Sequence, residues 1–547
     1  MLKKTFTVRA LEILPGTLTW VTLIGAPVLS YFHPVWISIY IILFDLFWFL
    51  KGANVAIHLM HSHQRLKTHN RINWRQWCAS LVSFEEFKKY LREQYSSEKV
   101  RGMRRLYAEY IERLESINDN RNLDWARIHH LIILPVYQEG VEVLEPSINS
   151  YASADYPMNH VILVLAVEER AGEKALERAR ALKEKFGDKF MKFFIIIHPD
   201  GLVGEARGKG ANCAFAAEQA SHELAAMNIP FENIIVSNFD CDTTVARNYF
   251  SHLTFDFMTI AKPHQASYQP MPVFHNNIWD TPAVARVIAI SSSFWQLVEA
   301  SRPDRLVTFS SHSMSFKTLV DVGFWRRDLI PEDSYIFWQC FNHFNGDYRT
   351  HPLFTMVSMD AVLGDSYAGT LIAQYKQKRR WAWGAIQISL VFPQFTKNPR
   401  IPLWKKLLYG YRMVEGYYFW ATASIMIALL GWLPLIFGGN RFGSSVLALN
   451  LPLMTRAIMS IATFFLVFSV YVSLVMLPPR PPGYSRWKSF SMIWQWIFSP
   501  IVSSVFGSFP AIDAQTRLML GKYMEFWVTP KFRKQEAVVK EPLEIRN

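Results

Sequence analysis

The sequence predicts an α/β domain with a mostly parallel sheet, inserted between N- and C-terminal transmembrane helices. Three observations predict it. Long uncharged apolar runs lie near both ends, short apolar segments alternate with helical patterns in the middle, and polar or acidic residues close each of those segments.

The chain has 547 residues, more than one hydrophobic core usually organises. Half of the residues are hydrophobic, 15% are aromatic and 19% are charged. That is too much charge for an all-membrane bundle and too little for an ordinary soluble enzyme. A span needs roughly 20 apolar residues to cross about 30 Å of hydrocarbon. From Ile13 to Phe44 no acidic or basic residue except His33 appears, and His33-Pro34 divides that run into two candidate spans. Further candidates are Gly416 to Gly438, Ala457 to Pro479 and Ser489 to Ile512. The first apolar run continues into the second without a small-residue cleavage site, so no removable signal peptide is expected.

Basic flanks set the orientation, because they tend to stay cytoplasmic. Lys3, Lys4 and Arg9 precede the first span, and Lys51, Arg65 and Lys67 follow the second, which places the middle of the chain in the cytosol. Two more spans return the chain to the cytosol near Arg480, Arg486 and Lys488. A last crossing would export Arg517, Lys522, Lys531 and Lys534, while Pro500 and Pro510 permit a re-entrant or interfacial path instead. Much of the net charge of +13 sits beside the spans, where anionic lipid headgroups are nearer partners than nucleic acid. The four cysteines, Cys78, Cys213, Cys241 and Cys340, are scattered and form neither a disulfide framework nor a zinc pattern.

The expected organisation is residues 1–68 with two spans, 69–127 as a helical connector at the membrane surface, 128–400 as a cytosolic α/β domain, 401–530 with two to four spans, and 531–547 as a polar tail with no assigned function. The connector is charged and helix-forming from Phe84 to Trp125, with no turn signal before Asn118-Asp119-Asn120. Strands are expected at Leu131 to Leu134, Val161 to Val167, Phe193 to Ile197 and Ile234 to Phe239, with a charged helix from Gly172 to Lys185. Their carboxyl ends carry Gln138-Glu139, Glu168-Glu169, His198-Pro199-Asp200 and Asp240-Cys241-Asp242, where an open α/β sheet places its ligand crevice.

Three motifs bear chemistry. Asp240-Cys241-Asp242 follows a strand, and alternation along an extended segment would turn both carboxylates to one side. Mg²⁺ is held by one or two carboxylates plus substrate phosphates, so this is a candidate metal seat. Asp333, in Pro331-Glu332-Asp333, stands at a helix start, either as a capping residue or as the acceptor of a hydroxyl proton. Gln377, Arg380 and Trp381 fall at i, i+3 and i+4 of a helical run and share one face. There Arg380 can grip phosphate oxygens and Trp381 can offer a flat apolar face to a sugar ring. A basic interfacial helix with aromatic anchors is the alternative for that run.

In order, LPVYQEG, Glu168-Glu169, GEARGKGANCA, DCD, SSHSMSF followed by PED, and QKRRW resemble the family 2 glycosyltransferases, in the membrane-integrated branch that includes the cellulose and hyaluronan synthases. The resemblance covers about residues 130–395, and the flanking spans match that branch. It implies a GT-A domain that takes a nucleotide-diphosphate sugar, with a UDP-sugar favoured, and inverts the anomeric centre using Mg²⁺ or Mn²⁺. Pro135, Tyr137 and Glu139 match the motif near the base and ribose, Glu168 or Glu169 the acid that contacts the base, and Lys209 the basic residue approaching the diphosphate. The family's usual Asp-Asp-Gly is Glu-Glu-Arg here, which leaves the base-contacting residue open, and Gly210 after Lys209 rules out a Walker loop. Asp240 and Asp242 match the nucleotide and metal ligands, with Asp242 favoured for the metal. Asp333 matches the general base, and Gln377, Arg380 and Trp381 match the QxxRW motif flanking acceptor and diphosphate. Ser313, Met314 and Phe316 resemble the segment lining the acceptor site.

The resulting expectation is a multi-pass plasma-membrane enzyme with a cytosolic catalytic domain, adding sugar to a glycan or lipid-linked acceptor in a polysaccharide-type synthesis. Transfer of a single sugar to a lipid carrier is the near alternative. A non-catalytic transporter or scaffold is the distant one, disfavoured because few ionisable residues lie inside the spans.

Overall fold

The computed structural model describes residues 5–117, 122–531 and 533. Lys3, Lys4, the Asn118-Asp119-Asn120 turn signal, Lys534 and the rest of the tail beyond Arg533 lie outside the described residues. Helix α1 (Phe6–Phe32) is followed by α2 (Pro34–His69), with His33 between them. Pro34 suits the first position of α2, where its missing N–H forfeits no helical bond.

The connector is two helices rather than one, α3 (Phe84–Ser97) and α4 (Arg101–Glu115). No glycine or proline breaks it. The Glu98 carboxylate instead accepts the Val100 N–H at 2.8 Å, a local bond that competes with the helical ladder. Its apolar stripe, Phe87, Leu91, Met103, Leu106, Tyr110 and Leu114, is buried in the same core as one face of the sheet. The connector therefore covers the α/β domain and is not merely a solvated helix at the bilayer.

The strands are β1 (His129–Val136), β2 (Val161–Glu168), β3 (Lys192–His198), β4 (Ile234–Asn238), β5 (Thr244–Val245), β6 (Ala266–Val273), β7 (His312–Ser315) and β8 (Arg349–Ser358). They form one sheet in the order β3-β2-β1-β4-β7-β6-β8-β5. The expected strands fall within β1 to β4, apart from Phe239 just past the end of β4, and these four pair in parallel. Beyond β4 the sheet turns mixed: β7 is antiparallel to β4 and β6, and β6 and β8 are parallel. Successive strand residues face opposite sides, so Ile132 and Leu134 join the core under the connector while Leu131 and Ile133 join a second core on the other face. Burial on both faces explains why these strands read as unbroken apolar runs. The second core also takes Ala214 and Ala217 from α5 (Lys209–Ala226), and Tyr335 and Phe337 from α6 (Glu332–His343). Helix α7 (Tyr367–Ala382) carries the Gln-Lys-Arg-Arg-Trp run.

Among the described residues four helical segments are long and apolar enough to cross a membrane by length and composition: α1, α2, Leu403–Phe437 and Arg486–Met519. The third begins as α8 (Leu403–Leu429), and the 31-residue helix α9 (Val446–Met476) packs along α2. Arg486–Met519 is a series of short helical pieces through Pro500 and Pro510, ending in α10 (Phe509–Met519). Both ends of that segment touch the α/β domain: the Tyr484 hydroxyl donates to Asp280 at 2.6 Å, and Arg379 of α7 pairs with Asp513 at 2.8 Å.

Candidate active site

Because β1 to β4 are parallel neighbours, their carboxyl ends open on one edge and bring distant motifs together. The Phe239 N–H donates to Ile133 O at 3.1 Å, extending the ladder to the residue before Asp240. Asp240 to Thr243 then form a turn, closed by Thr243 N–H to Asp240 O at 2.9 Å, so the extended alternation expected there is not what aims the carboxylates. Each meets a separate cation. Asp240 Oδ1 accepts from Lys209 Nζ at 2.6 Å and its Oδ2 from the Ser310 hydroxyl. Asp242 is buried; its Oδ2 accepts the Asp360 N–H at 2.9 Å, and Lys531 Nζ lies 2.7 Å from its Oδ1.

Glycine sets the approach of Lys209 to the remaining acids. A Cβ on Gly210 would sit 2.9 Å from Arg326 O and 3.0 Å from Glu332 Cβ, so the first turn of α5 lies directly against the start of α6. That contact places Lys209 among Asp240, Asp333 and Glu332. Burial alone would favour the neutral amine, but the charges of Asp240, then Asp333 and Glu332, overcome it and raise the Lys209 pKa. Burial likewise works to raise Asp240, yet Lys209 and Lys531 hold it below the usual carboxylate range. Glu332 is pushed up to about 8, by burial first and by the charge of Asp333 second. Asp333 is also raised, by burial and by Asp240, with Lys209 and Arg380 pulling the other way. Asp333 occupies the second position of α6 and its Oδ1 accepts the Ser334 N–H at 2.9 Å.

Arg380 faces this cluster from α7 and stacks on Phe526, 4.9 Å from the ring centre. Its companions keep more local company. Gln377 accepts from Gln374 at 3.2 Å, and the Trp381 ring lies 4.3 Å from Lys378 Nζ.

The first-strand residues face a neighbouring crevice. Pro135 lies opposite Ala166, one pair before the end of the ladder, and the Tyr137 N–H donates to Glu139 Oε2 at 2.7 Å. The Arg170 guanidinium lies 4.5 Å over the Tyr137 ring and pairs with the buried Glu168. Glu169 accepts the Asp200 N–H at 2.9 Å. A cavity of about 100 Å³ opens here, lined by Glu168, Arg170, His198 and Glu205 among others, with His198 bonded to Glu205 at 2.7 Å. His198 thus both ends its strand and borders the crevice.

Other residues stand differently from the sequence reading. Ser313, Met314 and Phe316 are fully buried, Ser313 in bonds to Ser237 and Tyr249 and the other two in the second core, so they line no open site. Trp325, Trp338 and Trp383, to which no role is assigned from sequence, are buried in protein cores. Asp360, just after β8, approaches Asp242 and is gripped by Arg533, whose Nη2 lies 2.7 Å from Asp360 Oδ1. An acid directly after an apolar run is the same signal that marked Asp240, and it would have found Asp360. Nothing in the pattern singled out Lys531 or Arg533.

The seat at Asp242 accepts positive charge, since an ammonium already lies against its otherwise unbonded Oδ1. Among the described residues no three metal-ligating side chains cluster together. Mg²⁺ or Mn²⁺ takes one or two carboxylates when a substrate completes its ligand set, and Asp240 and Asp242 would be those two here.

No known family pattern matches the chain, and no curated protein does. Among solved structures it is similar to the mannosyltransferase PcManGT from Pyrobaculum calidifontis in complex with GDP-Man and Mn²⁺, at 15% identity and a TM-score of 0.36, over 77% of this chain and 98% of that one. It is also similar to S. aureus TarS 1-349 in complex with UDP-GlcNAc, at 13% identity and a TM-score of 0.35, over 63% of this chain and 91% of that one. GalNAc-T7 with UDP, GalNAc and Mn²⁺ aligns at 11% identity and a TM-score of 0.28, over 58% and 61%. These likenesses are slight, and the functional reading rests on the site.

Proposed function

We propose that the chain is a membrane-bound, metal-dependent glycosyltransferase that moves a sugar from a nucleotide-diphosphate donor to a glycan or lipid-linked acceptor, with inversion. The observation that carries this is the meeting of Asp240, Asp242, Lys209, Asp333 and Arg380 from four separate stretches of sequence in one partly buried cluster of charges. A structural ion-pair network would not require two carboxylates after a strand, a raised acid at a helix start and cations on both sides of it.

In this reading Asp242, with Asp240, holds Mg²⁺ or Mn²⁺, which when bound neutralises charge on the leaving diphosphate. Lys209 and Arg380 take its oxygens from either side. Pro135, Tyr137, Glu139, Glu168 and Glu169 border the base and ribose, with a UDP-sugar favoured. Asp333 accepts the proton of the acceptor hydroxyl as that oxygen bonds to the anomeric carbon; the bond to phosphate breaks and the nucleoside diphosphate leaves. One base suffices, since the attack comes opposite the leaving group. Gln377 and Trp381 face the acceptor. The α/β domain is assigned residues 128–400 on the cytosolic side of the plasma membrane, and extension of a polysaccharide is favoured over transfer of one sugar.

The test offers purified protein in detergent a panel of nucleotide sugars with Mg²⁺ or Mn²⁺ and measures released nucleotide. Release with one donor, its loss on chelation, and an Asp333→Asn protein that binds donor but fails to transfer it by about 10²-fold or more are expected. Full activity in chelator, or in Asp333→Asn, would refute the assignment.

A further inference from the structure

The segment after Met519 reaches the carboxylates from a start that is fastened to the first membrane helix. Arg9, near the beginning of α1, donates through Nη1 to Leu518 O at 2.8 Å and through Nη2 to Met519 O. These are end carbonyls of α10; Leu518 O also takes the Gly521 N–H at 3.1 Å, and the guanidinium adds to their bonding and complements the helix dipole. The same Arg9 pairs with Glu12 at 2.9 Å, and the buried Glu12 accepts the Tyr523 hydroxyl at 2.6 Å. Gly521 turns the chain between them with φ +70, the left-handed conformation that favours glycine.

The hold is close-packed. A Cβ on Gly16 would meet Gln515 O at 2.9 Å, while Thr19 bonds Gln515 at 2.7 Å and Trp20 bonds Thr516 at 2.9 Å. From Tyr523 the contacts run on towards the site. The Tyr523 ring meets Trp383 edge-on, Phe526 fills the space beside Gly208 and under Arg380, and Lys531 ends on Asp242. One short stretch of chain thus links the membrane helix to the carboxylate seat.

We propose that Arg9 and Glu12 are positioning residues: by gripping the exit of α10 they keep Lys531 on Asp242, so the first membrane helix sets how readily a divalent cation enters that seat. The proposal rests on the cation-seat reading above. Lys531 and the cation compete for one carboxylate, so loosening the grip favours the cation. The pairs at Arg9 lie outside the crevice and touch no reacting group.

The experiment titrates full-length protein in nanodiscs with Mn²⁺ and reads free Mn²⁺ by electron paramagnetic resonance. Lys531→Ala is expected to tighten Mn²⁺ binding by about tenfold, the effect of removing one competing ion pair of about 1.4 kcal/mol. Arg9→Ala and Glu12→Gln should tighten it in the same direction, and Arg9→Lys should stay nearer the wild type. The Arg9→Ala/Lys531→Ala double variant should match Lys531→Ala alone, because the grip acts only through that lysine. Wild-type Mn²⁺ affinity in both Arg9→Ala and Glu12→Gln, or additive effects in the double variant, would overturn the proposal. Trypsin cleavage after Lys531 reads release of the segment with no cation present. Unchanged cleavage in Arg9→Ala and Glu12→Gln overturns the grip, whereas faster cleavage without Mn²⁺ binding in any variant keeps the grip and overturns the cation seat alone. Should Arg9→Ala fail to fold, Glu12→Gln carries both readouts.

Discussion

Glu332 and Asp333 are adjacent carboxylates in one buried crevice, and they cannot both ionise cheaply. Glu332 is pushed up to about 8, by burial first and by the charge of Asp333 second, which favours its neutral form at neutral pH. The sign of the stability effect follows. Unfolded, Glu332 releases its proton near 4.5; folded, it keeps the proton to about 8, so the native state binds more protons through that window. Its contribution is fully present below pH 4.5 and is lost as pH rises towards 8. Glu332→Gln should therefore flatten the fall in thermal midpoint across that range, and a variant whose midpoint falls as steeply as the wild type would contradict the assignment. Pro331-Glu332-Asp333 was legible as a helix start with an acid to spare. The elevation of Glu332 was not, because it depends on how closely Gly210 lets α5 approach, which no local pattern records.

Helices and strands differed in how far their sequence betrayed them. Strands β1 to β4 are buried on both faces and announce themselves as apolar runs, whereas β6 contains two prolines and β7 is the four polar-flanked residues His-Ser-Met-Ser. Both are held by their neighbours rather than by their own composition, and β7 wedges antiparallel between β4 and β6. The connector was legible as helix but not as a hairpin packed on the sheet. What fixes it there is Asp256, buried at the centre of bonds from Arg113 at 2.6 Å, Tyr110 at 3.1 Å and His351 at 3.0 Å. Removing that acid takes from the largely covered Arg113 its shorter ion pair and leaves it Glu109 at 3.3 Å, so Asp256→Ala should cost about 3 kcal/mol, read as a lower unfolding midpoint in detergent. Helix α7 carries a different expectation. The face shared by Gln377, Arg380 and Trp381 is present, and Arg380 reaches the acidic crevice while Trp381 does not share its contacts. Trp381→Ala should accordingly raise the acceptor concentration needed for half-maximal rate several-fold more than the donor's, and equal losses would remove the stacking role.

For the whole molecule, the side on which each segment lies decides whether the crevice can draw its donor from the cytosol. Helices α1 and α2 form one pair joined at His33, and α8 and α9 belong to a second pair with Ser444 in the short connection between them. The broken segment from Arg486 to Met519 has contacts with the α/β domain beside its start and near its end, and the positive-flank rule would then put Lys522 and Lys531 with Lys51 and Arg65. All four native cysteines are buried, so introduced ones stand out against little background. In intact cells an impermeant thiol reagent should label His33→Cys and Ser444→Cys, both exposed turns, and should reach the exposed Asp188→Cys only after permeabilisation. The reverse pattern would place the crevice outside, where nucleotide sugars are scarce, and the donor chemistry would fail with it. Labelling of His33→Cys and Ser444→Cys from opposite sides would instead break the pairing of the spans while leaving the α/β domain as described.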